Sequence, residues 1–186
     1  MRVAVYAGSS MGSRPEFAAA AADLGRRLAQ AGVGIVYGGA SVGLMGVLAD
    51  AAMTAGGEVI GVIPKVLVDA EVAAEGLTRL EIVDTMHTRK ARMAELGDAF
   101  VALPGGFGTL EELFEVLTWG KLRLHRKPVA LLDVAGFWEP LLAFLDAQVA
   151  DGFVPAASRA TLVRLTDPRG VMAALRMPGG PGPQPA

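Results

Sequence analysis

Three glycines, a threonine and two carboxylates fall within nine residues, Pro104-Gly105-Gly106-Phe107-Gly108-Thr109-Leu110-Glu111-Glu112. Glycine lets a backbone come close to a ligand with no Cβ in the way. If a helix starts here, its first N–H groups lack partners and carry partial positive charge, which suits an anion such as phosphate. Glu112 stands beside that seat. A carboxylate there could orient or deprotonate a water and stabilise positive charge developing on a sugar. Thr109 followed three residues later by Glu112 also fits a capping box, in which the two side chains close a helix start. Upstream, Met86-His87-Thr88-Arg89-Lys90-Ala91-Arg92 puts three cations into the first turns of an expected helix, with no acid before Glu95. Cations near that end oppose the helix dipole by about 0.3–1 kcal/mol each, so an anionic ligand or acids from elsewhere must offset them. His87 reads as a capping or core residue and is not assigned chemistry.

These residues need elements to position them. Ala99 to Leu103 reads as a buried strand entering the turn, and Leu110 to Trp119 as the helix leaving it. Two similar turns precede it. Val3 to Ala7 is a strand running into Gly8-Ser9-Ser10-Met11-Gly12, with a helix from Pro15 that Gly32 closes. Val33 to Tyr37 is a strand running into Gly38-Gly39-Ala40-Ser41-Val42-Gly43-Leu44-Met45-Gly46, then an Ala-rich helix to about Ala55. Further strands are expected at Glu58–Ile63, Leu80–Val83, Pro128–Asp133 and Thr161–Leu165. Further helices are expected at Thr85–Leu96, with Met86, Met93 and Leu96 inward, at Phe137–Ala150, and from Pro168 to about Arg176. Lys65 to Arg79 reads as a loop with a short helix. Strands alternating with helices imply an α/β fold, a Rossmann-like doubly wound parallel sheet of about six or seven strands. Its strand-to-helix turns share one edge, where such sheets bind ligands. Residues 1–176 read as a single domain and 177–186 as a disordered Pro/Gly-rich tail.

The turns match no triphosphate or dinucleotide signature. No Gly-Lys-Ser/Thr follows, Gly-x-Gly-x-x-Gly is absent after the first strand, and the second strand ends in Tyr37-Gly38 rather than an acid. A monophosphate fits better. Hydrophobic residues make up 52% of the 186 residues and the net charge is −2, which argues against a basic nucleic-acid surface. The chain has no cysteine and two histidines, leaving no thiolate or His-rich metal site and fitting a reducing cytoplasm. No apolar run is long enough to span a bilayer, and the start of the chain reads as a strand rather than a signal peptide.

Together, Pro104-Gly105-Gly106-x-Gly108-Thr109-x-x-Glu112, Met86-His87-x-Arg89-Lys90 and Ser41-Val42-Gly43-Leu44-Met45-Gly46 resemble the Lonely guy family. Its members are cytokinin riboside 5′-monophosphate phosphoribohydrolases, often mislabelled lysine decarboxylases. The resemblance runs from about Arg2 to Leu175. It implies a catalytic pair, Arg89 and Glu112, and a nucleotide held by Glu71, Lys90, Gly106, Phe107, Gly108, Thr109, Leu110, Glu111 and Thr118. Gly8, Ser9, Gly39 and Gly43 from the other turns join the expected site. The resemblance further implies a nucleoside 5′-monophosphate substrate, no cofactor, no metal and a homodimer with its site near the subunit contact. Ala40 departs from the third glycine of many plant members. Two other readings share the fold. One is a nucleotide-binding or sensing protein without activity. The other is a pyridoxal-phosphate decarboxylase, but none of Lys65, Lys90, Lys121 and Lys127 sits in a context that marks a Schiff-base lysine.

Overall fold

Side chains that alternate between two buried faces build the sheet. In the computed structural model, which describes residues 1–68 and 73–175, seven strands run parallel: β1 (Arg2–Tyr6), β2 (Gly34–Tyr37), β3 (Val59–Pro64), β4 (Arg79–Val83), β5 (Ala99–Ala102), β6 (Val129–Leu132) and β7 (Leu162–Leu165). Their order across the sheet is β4-β3-β2-β1-β5-β6-β7. Val3 and Val5 of β1 face one core layer with Ala99 and Val101 of β5, while Ala4 and Tyr6 face the other with Phe100 and Ala102. This is the period-two pattern of a sheet covered on both sides.

Helices α1 (Pro15–Gln30) and α2 (Gly43–Thr54) cover the first face with Phe17, Leu24, Leu28, Leu44 and Leu48. α3 (Lys65–Val68) is a single turn after β3. α4 (Met86–Leu96), α5 (Phe107–Lys121) and α6 (Glu139–Ala150) cover the second face with Met93, Leu113, Val116, Leu142 and Leu145. The chain then forms α7 (Ala156–Arg159), β7, a 3₁₀ turn at Pro168–Gly170 and α8 (Val171–Ala174).

The expected strands are all present. Three helix expectations are corrected. α5 begins at Phe107 instead of Leu110, so Gly106 is its N-cap and Gly108 lies within its first turn. The last expected helix is split into the 3₁₀ turn and α8, and α7 lies in a stretch that showed no pattern. On α4 the deeply buried residues are Arg89, Lys90, Met93 and Ala94, with Met86 and Leu96 only half-buried. Glu71 and the expected tail at 177–186 lie outside the described residues. Strand order reverses between β1 and β5, and the paired residues there are Val5 with Val101 and Tyr6 with Ala102. Crevices in open parallel sheets form at such a switch point.

Candidate active site

The turn between β5 and α5 sits at that switch point. It is locked to the turn after β1, where the Gly8 N–H donates to the Pro104 carbonyl at 3.1 Å. A Cβ on Gly105 would lie 2.1 Å from Thr109 Oγ1 and 2.9 Å from the Gly8 nitrogen, so only glycine fits. Gly106 and Gly108, by contrast, face open space with nothing within 4 Å of an added Cβ. The N–H groups of Phe107, Gly108 and Thr109 lie in the first turn of α5, where no intrahelical acceptor exists. This is an open seat for an anion.

The other two glycine turns are arranged differently. The Gly8 carbonyl accepts hydrogen bonds from Leu44 N at 3.0 Å and Met45 N at 3.4 Å, so it occupies the start of α2. Gly43 has φ +60 and no room for a Cβ, which would meet the Ser9 carbonyl carbon at 2.3 Å. The three turns thus support one another, and the one before α5 is left open. Gly39, at φ +79, accepts from Ala74 N at 2.9 Å and is buried, while Ser9 is exposed beside the turns.

Glu112 is the sixth residue of α5 and only 8% exposed. Thr109, the third, is also buried. The N-cap is Gly106, so Thr109 and Glu112 are not the N-cap and N3 pair that a capping box requires, and the capping-box reading is corrected. Glu112 and Glu115 raise the pKa of the Tyr6 hydroxyl, after burial, the larger cause. Tyr6 ends β1 and lies in the second core layer, so the field of these two α5 carboxylates reaches the end of that strand.

Arg89 comes from α4 and is 5% exposed. Its Nη2 donates to the Gly38 carbonyl at 3.2 Å, and its Nη1 lies 3.7 Å from Met86 Sδ. Its buried Nε has no hydrogen-bond partner. The other two cations of the segment are answered by acids. Arg92 pairs with Glu81 and Glu95, both at 2.7 Å, and Lys90 with Glu111 and Glu115. Thr85 caps α4 by accepting from Thr88 N. His87 is exposed. Of the remaining expected contacts, Leu110 packs against the second core layer, Phe107 is 92% exposed, and Thr118 Oγ1 donates to the Phe114 carbonyl one turn back.

A separate cleft of about 370 Å³ opens at the opposite edge of the sheet, lined by Met1, Arg2, Gly34, Gly57, Glu58 and Asp98. Its charges are paired internally. Arg2 Nε meets Glu58 at 2.8 Å and Arg2 N meets Asp98 at 2.8 Å, so it offers little to a charged ligand. Among the described residues no acidic or histidine cluster could hold a metal ion, and no helix is long and apolar enough to cross a membrane.

A doubly wound parallel sheet with an open glycine turn, a buried carboxylate and a buried guanidinium on the elements around its switch point defines a Rossmann-like α/β protein. The family model described as "Possible lysine decarboxylase" matches residues 45–175. A cytokinin riboside 5′-monophosphate phosphoribohydrolase of Rhodococcoides fascians is 48% identical over 177 residues, covering 95% of this chain and 89% of that one. The phosphoribohydrolase LOG of Oryza sativa subsp. japonica is 48% identical over 162 residues, covering 87% and 67%. The chain belongs to this Lonely guy family of phosphoribohydrolases. Among solved structures, the molybdenum cofactor carrier protein of Chlamydomonas reinhardtii matches with a TM-score of 0.71 at 22% identity, covering 94% and 95%. The molybdenum cofactor binding protein of Rippkaea orientalis matches with a TM-score of 0.69 at 22% identity, covering 92% and 93%. At that identity the likeness is one of fold.

Proposed function

We propose that the protein hydrolyses the bond between N9 of adenine and C1′ of ribose in an adenosine 5′-monophosphate, plain or N6-prenylated, releasing the free base and ribose 5-phosphate. Family membership supports the reaction class, since the relatives are named for it. The observation that carries the reading is the open turn at Gly106 and Gly108, with Glu112 one turn further along the same helix. Phosphate held by the N–H groups of residues 106–109 fixes the ribose beside Glu112, and its binding energy is used to orient the reacting centre. Breaking the C1′–N9 bond builds positive charge on the ribose, as in other glycosyl transfers. The Glu112 carboxylate stabilises that charge and orients or deprotonates the water that forms the new C1′–O bond. Arg89 anchors the ligand or steadies charge at the departing base. Leu110, Glu111, Thr118, Ser9 and the glycines of the other turns border the nucleotide. We also propose a homodimer, supported by the exposed Phe107 and Phe114 on α5, and a cytoplasmic location.

Glu112→Gln should lower base release about 10²- to 10⁴-fold while AMP still binds. Chromatography of free base and calorimetry of AMP binding measure the two. Full turnover in the variant removes Glu112 from the chemistry. Rates on AMP and its prenylated form, with the ribosides as phosphate-free controls, identify the substrate.

A further inference from the structure

The acids that answer Lys90 tie the two sides of the site together. Its side chain is 6% exposed, and its Nζ lies 2.5 Å from Glu111 Oε1 and 3.1 Å from Glu115 Oε1. Lys90 follows Arg89 on α4, while Glu111 precedes Glu112 on α5 and Glu115 follows it by three residues. One ammonium therefore bridges the helix that carries the guanidinium and the helix that carries the carboxylate. Burial lowers the ammonium's pKa, but its bonds to Glu111 and Glu115 outweigh that and raise it, so the charge persists. Two carboxylates around one ammonium leave a local excess of negative charge, a poor surface for a phosphate. Glu111 and Glu115 also stand i,i+4 on one helix, where like charges repel unless a cation sits between them.

We propose that Lys90 is a positioning residue: it clamps α4 to α5 through Glu111 and Glu115, and so sets Arg89 opposite Glu112, in place of touching the nucleotide itself. Given Arg89 and Glu112 as the working pair, losing the clamp should affect turnover more than binding, because the phosphate seat lies on α5 alone. Misplacing a reacting group by about 1 Å can cost about 10²-fold.

The test compares wild type with Lys90→Met, Lys90→Arg, the double variant Glu111→Gln/Glu115→Gln, and the triple combination. Lys90→Met should lower kcat by about 10²-fold with KM changed by less than about threefold. Lys90→Arg should recover most of kcat, since a guanidinium reaches both carboxylates. The carboxamide double should reproduce the Lys90→Met loss, and the triple should be no worse, as expected for groups acting as one unit. A raised KM with unchanged kcat in Lys90→Met, alongside a near-wild-type carboxamide double, overturns the clamp in favour of direct nucleotide contact. Wild-type activity in Lys90→Met also overturns it. If Lys90→Met does not fold, the Arg variant and the carboxamide double decide alone. Failure of the working pair is read separately, from Glu112→Gln in the otherwise native protein.

Discussion

Gly38 shows how one missing methyl places a charge. An added Cβ would lie 1.9 Å from Arg89 Nη2 and 2.9 Å from Met45 Sδ. The guanidinium therefore lies directly over the backbone at the end of β2 and donates to the carbonyl beneath it. Both obstructing atoms are ends of flexible side chains, and the conformation at Gly38 does not itself require glycine. Gly38→Ala should thus fold with a stability loss of about 1 kcal/mol, because the arginine can swing away. Activity should suffer more, by about 10²-fold, since the swing takes Arg89 from its place. Thermal melting and base-release assays on the same preparation separate the two effects. Unaltered activity would mean that the position of Arg89 does not matter. The carbonyl contact itself had no signature in the sequence. Gly38-Gly39 read there as part of a turn, whereas at Gly38 the glycine makes room for a side chain from fifty-one residues away.

At the scale of the element, the strands were legible, and so were the starts of α1 at Pro15 and of α4 at Thr85, whereas the start of α5 was not. The alternation in Val3–Tyr6 and the apolar runs in β2, β3, β5 and β6 carry their own signal, because burial on both faces demands it. The start of α5 was misread because Gly106-Phe107-Gly108 looks like loop, and the open seat arises from starting a helix there. The inward face of α4 was misread because Arg89 and Lys90 are buried with partners in the turn after β2 and on α5 that lie far off in the chain. Beyond α5, His125 ties the loop back to its helix. Its Nδ1 accepts from Lys127 N at 3.1 Å, which leaves Nε2 as the donor to the Val116 carbonyl at 2.8 Å. Only the neutral ring serves both bonds. Burial lowers its pKa from 6.5, opposed by the Val116 bond and aided by Lys127. The folded state therefore binds this proton less readily than the unfolded chain. The contribution is whole above pH 6.5, declines as the pH falls below it, and levels off under the folded value. Denaturant titrations should show a stability step in that window, above the range where carboxylates such as Glu58 and Glu81 protonate. His125→Gln should erase that step and leave the carboxylate step. A step that survives the substitution would assign it to another group.

At the scale of the whole molecule, the outer face of α5 asks for a cover. Phe107 is 92% exposed and Phe114 36%. Seven residues apart, they lie on the same side of the helix. Phe107 is flanked by Gly106 and Gly108, the open end of the proposed phosphate seat. A second copy packed over this face would therefore border the crevice as well as bury the rings, which joins the proposed dimer to the proposed chemistry. A stable interface buries about 1,200–2,000 Å² in total, far more than two phenylalanines supply. The pairing must then extend along the helix and its neighbours, and charge at its apolar centre should be disruptive. Phe107→Asp with Phe114→Asp should convert a dimer to a monomer in sedimentation equilibrium and raise KM, because the rim of the crevice is lost. Phe144→Asp, on the exposed side of α6, should leave the assembly intact. A dimer that survives the paired substitution puts the contact elsewhere, and a fully active wild-type monomer removes the link between pairing and catalysis.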